Sequence, residues 1–330
     1  MKIAFVIMSA VQRPDTVAQL ARALAPHTVV IHHDFSQQPD FPVDEPNVVF
    51  VPNPCRTGWA IWGYSLAVLN SVRYCLQEID FDYLQILSPT CLPIRPISEF
   101  EDYIRNSGVD ANIECLDFAR IEVSMTAGFR AFAPDHSLRY KVLGRLMSWY
   151  VGENPELLDV AGVQLRMSHA VDARGRLPLK GRVARRIMTW AQQGRLWPTY
   201  FNDRFRAHYG TSWFGASRKA CEAIIARCED PALIKYFSGL IIADEVLFPS
   251  LFANSGLRLG PLNHYVSKFI ESRPAWLTED DIDTLRASGR FFARKFADDP
   301  DAPVRARVLD ELVHHRARND EHPHPEKTGA

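Results

Sequence analysis

Two groups of side chains in this sequence are suited by type and position to group-transfer chemistry. Asp244 and Glu245 stand together between apolar runs at a predicted helix start. Asp244 alone could cap that helix with its carboxylate, which leaves Glu245 available as a general base. The second group is cationic and comprises Arg273 and Lys295, the latter within the run FARKF at 292–296. A cation so flanked must meet an anion or extend into solvent, and the spacing alone leaves phosphate binding and solvent exposure equally open.

Motifs that would indicate other reactions are missing from the sequence. It contains no G-x-G-x-x-G, no G-x-x-x-x-G-K-[ST] and no G-x-S-x-G, so dehydrogenase, P-loop and hydrolase interpretations lose support. Many nucleotide-sugar transferases hold a divalent metal with an Asp-x-Asp pair. Among such triplets here, 80–82 precedes a predicted strand and 281–283 lies in a first helical turn, where acids favour the dipole. We interpret both as structural and expect cations, with no metal or other cofactor, to compensate a bound diphosphate.

Composition limits the class of protein. The chain has 330 residues, of which 47% are hydrophobic and 23% charged, and its formal net charge is −1. These values fit one large α/β domain or two small ones. They argue against a nucleic-acid-binding protein, which would carry a basic excess.

Cysteine usage and hydropathy bear on the expected location. The six cysteines form no C-x-x-C pair and mostly lie in apolar runs, which predicts reduced core residues. No run reaches the roughly 18–20 apolar residues that span a bilayer, and the N-terminal apolar run is too short for a signal sequence. We therefore expect a cytoplasmic protein that would reach any membrane-bound substrate from the inner face of the membrane.

Alternating strand and helix patterns dominate the first half of the chain. Strands are predicted at 2–8, 28–33, 47–51, 82–87 and 111–115. Helices are predicted at 14–24, 63–77 and 97–106. The alternation indicates a parallel sheet with helices on both faces, in which ligands bind beyond the carboxyl ends of the strands. Asp34 and the turn at 88–91 occupy such strand ends.

The chain is predicted to divide into four parts. They are a nucleotide-binding α/β half at 1–135, a helical basic insertion at 136–207, a catalytic, acceptor-binding and diphosphate-binding part at 208–317, and a disordered tail at 318–330. Within the insertion, 166–206 is rich in arginine and has only Asp172 and Asp203 as acids. This pattern fits either a solvated face or a surface that meets an anionic membrane or a charged glycan. Later helices are predicted from Ser217 to 228, at 245–254, and after a capping box of Thr278 and Asp281.

Five motifs recur in the order and spacing of a known family. They are IHHD at 31–34, WGYS at 62–65, GTSWF at 210–214 with Ser217-Arg218, ADE at 243–245, and RPAWLTEDD at 273–281 with FARKF at 292–296. Together they resemble glycosyltransferase family 14, which contains the core 2/I branching β-1,6-N-acetylglucosaminyltransferases, the peptide O-xylosyltransferases, and plant and bacterial relatives. The resemblance covers roughly residues 1–115 and 208–297, and it suggests a bacterial-type member.

The resemblance implies a GT-A-like fold, a Rossmann-like mixed sheet flanked by helices. It implies that Asp34 contacts the uracil of a UDP-sugar and that Glu245 is the catalytic base. Arg273 and Lys295 are implied to bind the diphosphate. The reaction would be a metal-independent single displacement that inverts the anomeric centre, giving a β-glycoside from an α-linked nucleotide sugar.

The resemblance also implies how the acceptor is bound. Glu114, in the segment NIE at 112–114, and Trp213 are the implied acceptor contacts, and the acceptor would be a glycan or glycoconjugate hydroxyl. Two departures bear on specificity: Cys91 replaces the family's aspartate, and LNHY at 262–265 replaces its aromatic segment. UDP-GlcNAc is the first expected donor and UDP-xylose the second. The alternative is a non-catalytic carbohydrate- or nucleotide-binding protein that retains the fold.

Overall fold

The computed structural model describes most of the chain as two compact units. The described residues are 1–118, 131–133, 138, 141–143, 145, 156–160, 163–167, 179–266, 269–270 and 273–314. The first unit is drawn from Met1–Phe50, Phe81–Gly108 and Asn263–Ala330, and the second from Val51–Asp80 and Val109–Leu262. The predicted basic insertion at 136–207 therefore lies partly outside the described residues, and the predicted disordered tail at 318–330 lies wholly outside them.

Helices and strands are numbered along the chain. The helices are α1 (Pro14–Ala23), α2 (Trp62–Glu78), α3 (Ile97–Ser107), α4 (Leu179–Gln192), α5 (Arg218–Arg227), α6 (Pro231–Ser238), α7 (Asp244–Ala253), α8 (Ile282–Ala287) and α9 (Pro303–Val308), with a 3₁₀ turn at Glu279–Asp281 and a π turn at Leu309–Val313. The strands are β1 (Ile3–Ser9), β2 (Thr28–His33), β3 (Val48–Phe50), β4 (Tyr83–Leu87), β5 (Leu92–Pro93), β6 (Ala111–Asn112), β7 (Leu116–Asp117), β8 (Glu156–Val160), β9 (Val163–Met167), β10 (His208–Tyr209), β11 (Gly215–Ser217), β12 (Leu259–Gly260), β13 (His264–Val266), β14 (Phe269–Ile270), β15 (Arg273–Pro274) and β16 (Phe292–Arg294).

A parallel sheet forms the centre of the first unit. Its strands lie in the order β4–β1–β2–β3, with Ile7 of β1 opposite Ile31 on one side and Leu87 on the other. Every residue of β1 and of β4 is buried, which explains why these strands read as continuous apolar runs. The predicted alternation of parallel strands and helices is confirmed for this unit.

A smaller sheet in the same unit carries the segment that contains Lys295. Strand β16 pairs in parallel with β13 and antiparallel with β5. Phe292 of β16 is fully buried, and its ring contacts Phe5 of β1 and Phe100 of α3, with centroids 5.8 and 5.0 Å apart. The Phe296 amide donates to the carbonyl of Thr90, 2.9 Å away. These contacts hold the residues around Lys295 between β16 and the turn at 88–91.

The second unit contains three paired strands and a helical layer. Its strands lie in the order β12–β6–β11, with β6 parallel to β12 and antiparallel to β11. The strand predicted at 111–115 is thus shortened to two residues. Ser217 caps α5 as predicted, because its Oγ accepts from the Ala220 amide, and Arg218 donates to the carbonyls of Leu76 and Ile79 at the end of α2. These bonds satisfy carbonyls that a helix end would otherwise leave unpaired.

Two local predictions need correction. The segment 136–207 is not helical throughout: β8 and β9 form an antiparallel pair there, ahead of α4. Its short apolar runs are separated in sequence by Ala161-Gly162, a pattern that also fits a hairpin. Asp244 does not cap its helix either, since the N-cap position belongs to Ala243 and carries no side-chain hydrogen bond. No described helix is long and apolar enough to cross a membrane.

Candidate active site

Glu245 is held through its side chain by Tyr209, the last residue of strand β10, and through its backbone by Gly210, which follows. The phenol of Tyr209 donates a hydrogen bond to Glu245 Oε2 at 3.0 Å. The amide of the next residue, Gly210, donates to the Glu245 carbonyl at 2.9 Å. The carboxylate therefore stands at the first turn of α7 with one oxygen oriented by a neutral donor. An oriented carboxylate of this kind is the group that a general base requires.

Gly210 also brings Glu114 to the same place. A Cβ atom on Gly210 would lie 2.0 Å from the Glu114 carbonyl oxygen, so only glycine fits this contact. Strand β7 begins two residues after Glu114, and it pairs with β10 so that Leu116 lies opposite Tyr209. The predicted base and one predicted acceptor residue thus meet through the backbone of Gly210.

Asp244 makes a tertiary contact in place of the predicted cap. The Ser212 hydroxyl donates a hydrogen bond to its carboxylate, and burial raises the pKa of Asp244 to about 6. Ser212 Oγ lies 3.4 Å from the phenol oxygen of Tyr64 on α2. The Tyr64 ring in turn meets the indole of Trp213 edge to face, with centroids 6.4 Å apart. Trp213, the second predicted acceptor residue, therefore belongs to the same cluster.

This group of side chains, which we term the carboxylate cluster, lies wholly in the second unit. Its members are Tyr64, Glu114, Tyr209, Gly210, Ser212, Trp213, Asp244 and Glu245. Of these residues, Glu114, Trp213 and Glu245 were predicted from the sequence to bind the acceptor or act as the base. Tyr209 was not predicted, and the sequence offers no signal for it beyond its position just before the GTSWF motif.

Lys295 lies on an aromatic face in the first unit. Its Nζ is 4.7 Å from the centroid of the Trp276 indole, which is 49% exposed, and its carbonyl accepts from the Leu277 amide at 2.8 Å. Burial, followed by the neighbouring Arg294 guanidinium, lowers the pKa of Lys295. No carboxylate forms an ion pair with Lys295 among the described residues. A cation on a half-exposed aromatic face suits an incoming anion.

The other two predicted donor-binding residues are also in the first unit. Arg273 forms β15 with Pro274 and pairs with Ile270 of β14, while its side chain lies outside the described part of the structure. Asp34 follows β2 at the carboxyl edge of the parallel sheet and is 2% exposed. Its Oδ1 accepts from the Ser36 amide and hydroxyl, and its Oδ2 accepts from Gln37 at 2.6 Å. A uracil contact through this carboxylate would have to share an oxygen with those donors.

The turn in which Cys91 replaces the family's aspartate is an interior structure. Cys91 is fully buried, and its sulfur lies 3.2 Å from the Ser88 amide and 3.5 Å from His264 Nε2. Burial raises the pKa of the Cys91 thiol and lowers that of His264 to about 3, so both side chains are neutral at physiological pH. This neutral pair joins the turn to β13.

No site for a metal ion is assembled by the described residues. Groups of three or more histidine, cysteine or carboxylate side chains in a metal-binding arrangement do not occur among them. Asp82 of the first Asp-x-Asp triplet accepts from the Lys2 amide, and Asp281 of the second completes a capping box with Thr278. The described contacts of both triplets are therefore structural ones.

Comparison with known proteins yields little. No protein-family model matches the chain, and no curated protein matches it in sequence. Among solved structures, apo mouse xyloside xylosyltransferase 1 aligns with a TM-score of 0.29 and 10% identity, over 89% of this chain and 97% of that one. A TM-score this low does not establish a common fold.

Proposed function

We propose that the protein is an inverting, metal-independent glycosyltransferase with a GT-A-like fold, related to glycosyltransferase family 14. The carboxylate cluster is the observation that supports this proposal most. Three residues that the sequence resemblance assigns to acceptor binding and proton abstraction, Glu114, Trp213 and Glu245, meet there with a tyrosine that orients the base. Nothing in the spacing of the motifs requires these residues to lie together.

In the proposed reaction, Glu245 removes the proton from an acceptor hydroxyl. The hydroxyl oxygen attacks the anomeric carbon of the donor as the bond from that carbon to the diphosphate oxygen breaks. Tyr209 orients the carboxylate through its hydrogen bond to Oε2, and Oε1 is the proposed proton acceptor. One displacement converts an α-linked UDP-sugar into a β-glycoside and UDP.

The leaving diphosphate requires positive charge. Lys295 supplies it as a point charge on the face of Trp276, and Arg273 is proposed to supply a planar pair of donors. Cations fixed where charge develops lower the barrier without reorganising during the reaction. In this proposal the donor is UDP-GlcNAc or, as second choice, UDP-xylose, and the acceptor is a glycan or glycoconjugate.

The first experiment measures transfer from a panel of UDP-sugars by wild-type protein and by Glu245→Gln. We expect the variant to fold, to bind UDP with unchanged affinity by calorimetry, and to lose transfer by a factor on the order of 10²–10⁴. Glu229→Gln, an exposed carboxylate change in the same unit, is the matched control and should remain active.

Two results would contradict the proposal. Near-normal turnover by Glu245→Gln would remove the base assignment. Wild-type protein that binds nucleotide sugars but neither transfers nor hydrolyses any of them would favour the non-catalytic alternative.

Helix α4 is the proposed contact with a membrane surface. Leu179 and Val183 are 68% and 50% exposed, and Arg182 and Arg186 are exposed on the same side of the helix. The stretch 173–202 contains seven cations and no acid. Exposed apolar side chains beside cations suit an anionic bilayer.

Vesicle flotation tests this contact. Replacing Arg182, Arg185 and Arg186 with glutamine should weaken binding to phosphatidylglycerol vesicles about 100-fold, at roughly 1 kcal/mol per cation. Binding to phosphatidylcholine vesicles and to UDP should not change. Equal binding of wild type and variant to the anionic vesicles would leave α4 as a solvated face.

A further inference from the structure

The loop that precedes α2 presents apolar side chains to solvent. Trp59 is 84% exposed and Ile61 is 48% exposed. Ala60 stands between them with a φ of 64°, in the left-handed region that residues with a Cβ rarely adopt. The stretch 57–64 contains no charged residue. A large indole is therefore held in water at the tip of a neutral loop.

The loop is attached to the segment that carries the candidate base. The Ala60 carbonyl accepts a hydrogen bond from the Ile242 amide at 3.1 Å. Ile242 has a φ of 51°, an outlier for a β-branched residue, and it precedes Asp244 and Glu245 by two and three positions. Strained residues of this kind persist where the surrounding structure over-determines them, and they cluster at functional sites. Here two of them share one hydrogen bond.

Two further contacts hold the loop in place. The Cα of Gly63 packs against the Arg56 carbonyl so closely that a Cβ there would lie 2.2 Å from the oxygen. One residue later, Tyr64 lies within 3.4 Å of Ser212, which hydrogen-bonds Asp244. The loop is thus bonded at Ala60 to Ile242, two residues before Asp244, and it leads into Tyr64 of the carboxylate cluster.

We propose that Trp59, extended by Ile61, is the platform on which a pyranose ring of the acceptor glycan stacks. This inference rests on the proposed glycosyltransferase function. The C–H face of a pyranose is apolar and uncharged, and an indole offers it a wide, rigid surface at a small cost in side-chain entropy. The stretch 57–64 around the indole carries no charge that would attract a diphosphate or an anionic lipid. Because the base must reach an acceptor hydroxyl, a loop tied to the start of α7 serves the acceptor and not the nucleotide.

The kinetic test replaces Trp59 by alanine, leucine and phenylalanine. We expect Trp59→Ala to raise the acceptor KM about tenfold while the donor KM and acceptor-independent hydrolysis of the UDP-sugar stay unchanged. Trp59→Phe should restore most of the affinity and Trp59→Leu little, because stacking needs an aromatic face. Val142→Ala, which trims another exposed apolar residue of this unit, is the control. An unchanged acceptor KM in Trp59→Ala would overturn the proposal.

The binding test uses neutral sugars directly and needs no turnover. Saturation-transfer NMR with lactose, cellobiose and N,N′-diacetylchitobiose should show saturation of ring C–H protons by wild-type protein and a loss of it in Trp59→Ala. Saturation of none of the three by wild type, or equal saturation by the variant, would overturn the proposal. So would sedimentation showing that Trp59→Ala converts a wild-type dimer to monomer, because the indole would then be a contact between copies.

The two proposals can fail separately. If wild-type protein has no transferase activity but saturates sugar protons in a manner that depends on Trp59, the proposed reaction is wrong and the sugar-binding platform remains. If wild-type protein is active and substitution of Trp59 changes neither the acceptor KM nor sugar binding, only the platform is wrong.

Discussion

Removing the Tyr209 hydroxyl should change how the reaction depends on pH. In wild type, this phenol donates to Glu245 Oε2 at 3.0 Å. A hydrogen bond to the ionised carboxylate stabilises its charged form, so Tyr209→Phe should favour protonation. A net hydrogen bond to a charged group contributes about 1.5–3 kcal/mol, and 1.36 kcal/mol corresponds to one pH unit. We therefore expect the acid limb of the kcat/KM profile to move to higher pH by about one to two units.

The packing around the ring should be unchanged by this substitution. The Tyr209 ring meets Phe118 edge to face at 6.2 Å, and phenylalanine can keep that contact. Well below neutral pH the variant should lose activity about tenfold or more, while at the alkaline plateau it should lose little. A role in folding alone would lower activity equally at every pH.

The assay is kcat/KM measured from about pH 5 to about pH 9. Tyr200→Phe is the matched control, since Tyr200 donates to the carboxylate of Asp230 at 2.6 Å in the same unit but outside the carboxylate cluster. Tyr200→Phe should leave the pH profile of kcat/KM unchanged. Superimposable acid limbs for wild type and Tyr209→Phe would refute the assignment of Tyr209 as the positioning residue of the base.

Three further outcomes are expected. Gly210→Ala should lower kcat more than about tenfold and lower stability by about 1–3 kcal/mol, because its Cβ would lie 2.0 Å from the Glu114 carbonyl; full activity would contradict the contact. Burial raises the pKa of Asp244 from 3.8 to about 6, so the folded state loses stability as pH rises through that window. Asp244→Asn should thus increase the free energy of unfolding by up to about 3 kcal/mol above about pH 6, and raise Tm there, but should have no such effect below about pH 4. An equal Tm difference between variant and wild type at both pH values would refute this. The rate of sugar transfer should be unchanged in excess EDTA. It should fall by about 10²–10³ in Lys295→Ala but not in the exposed control Lys235→Ala. Activity abolished by EDTA and restored by Mn²⁺ would falsify the metal-free mechanism.

Elements with a strong hydrophobic period were predictable from sequence, and short ones were not. The buried runs of β1, β2 and β4 and the periodic helices α1 and α3 lie within a residue or two of their predicted bounds. The sheet β13–β16–β5 was missed, because strands of two or three residues are too short to show a period. Helix α6 was missed even though Asp230 caps it and Pro231 occupies its first position. That signal was present in the sequence and could have been used.

The behaviour of Asp244 shows where local sequence rules yield to tertiary contacts. An acid at a helix start is a favoured cap in isolation. In the structure Ala243 takes the N-cap position, and the Asp244 carboxylate accepts from Ser212, which is distant along the chain. A helix-capping pattern that spans four residues of sequence carries no information about a partner as distant along the chain as Ser212. The prediction that Glu245 acts as a general base therefore no longer draws support from Asp244 acting as the cap.

Convergence within the second unit supports the assignment of Glu245 more than any single motif does. The motifs that contain Glu114, Trp213 and Glu245 are separated along the chain by stretches that include the basic insertion, and they could have lain on different faces. Glu114 and Glu245 meet instead through Gly210, whose Cα packs against the Glu114 carbonyl and whose amide donates to the Glu245 carbonyl, and Trp213 joins them through Tyr64. A tyrosine on a carboxylate is not in itself a sign of reactivity, since Tyr200 makes the same kind of contact with Asp230, which caps α6. The pH profile of Tyr209→Phe is the measurement that separates a reactive Glu245 from a structural one, because only a reactive carboxylate would shift its acid limb.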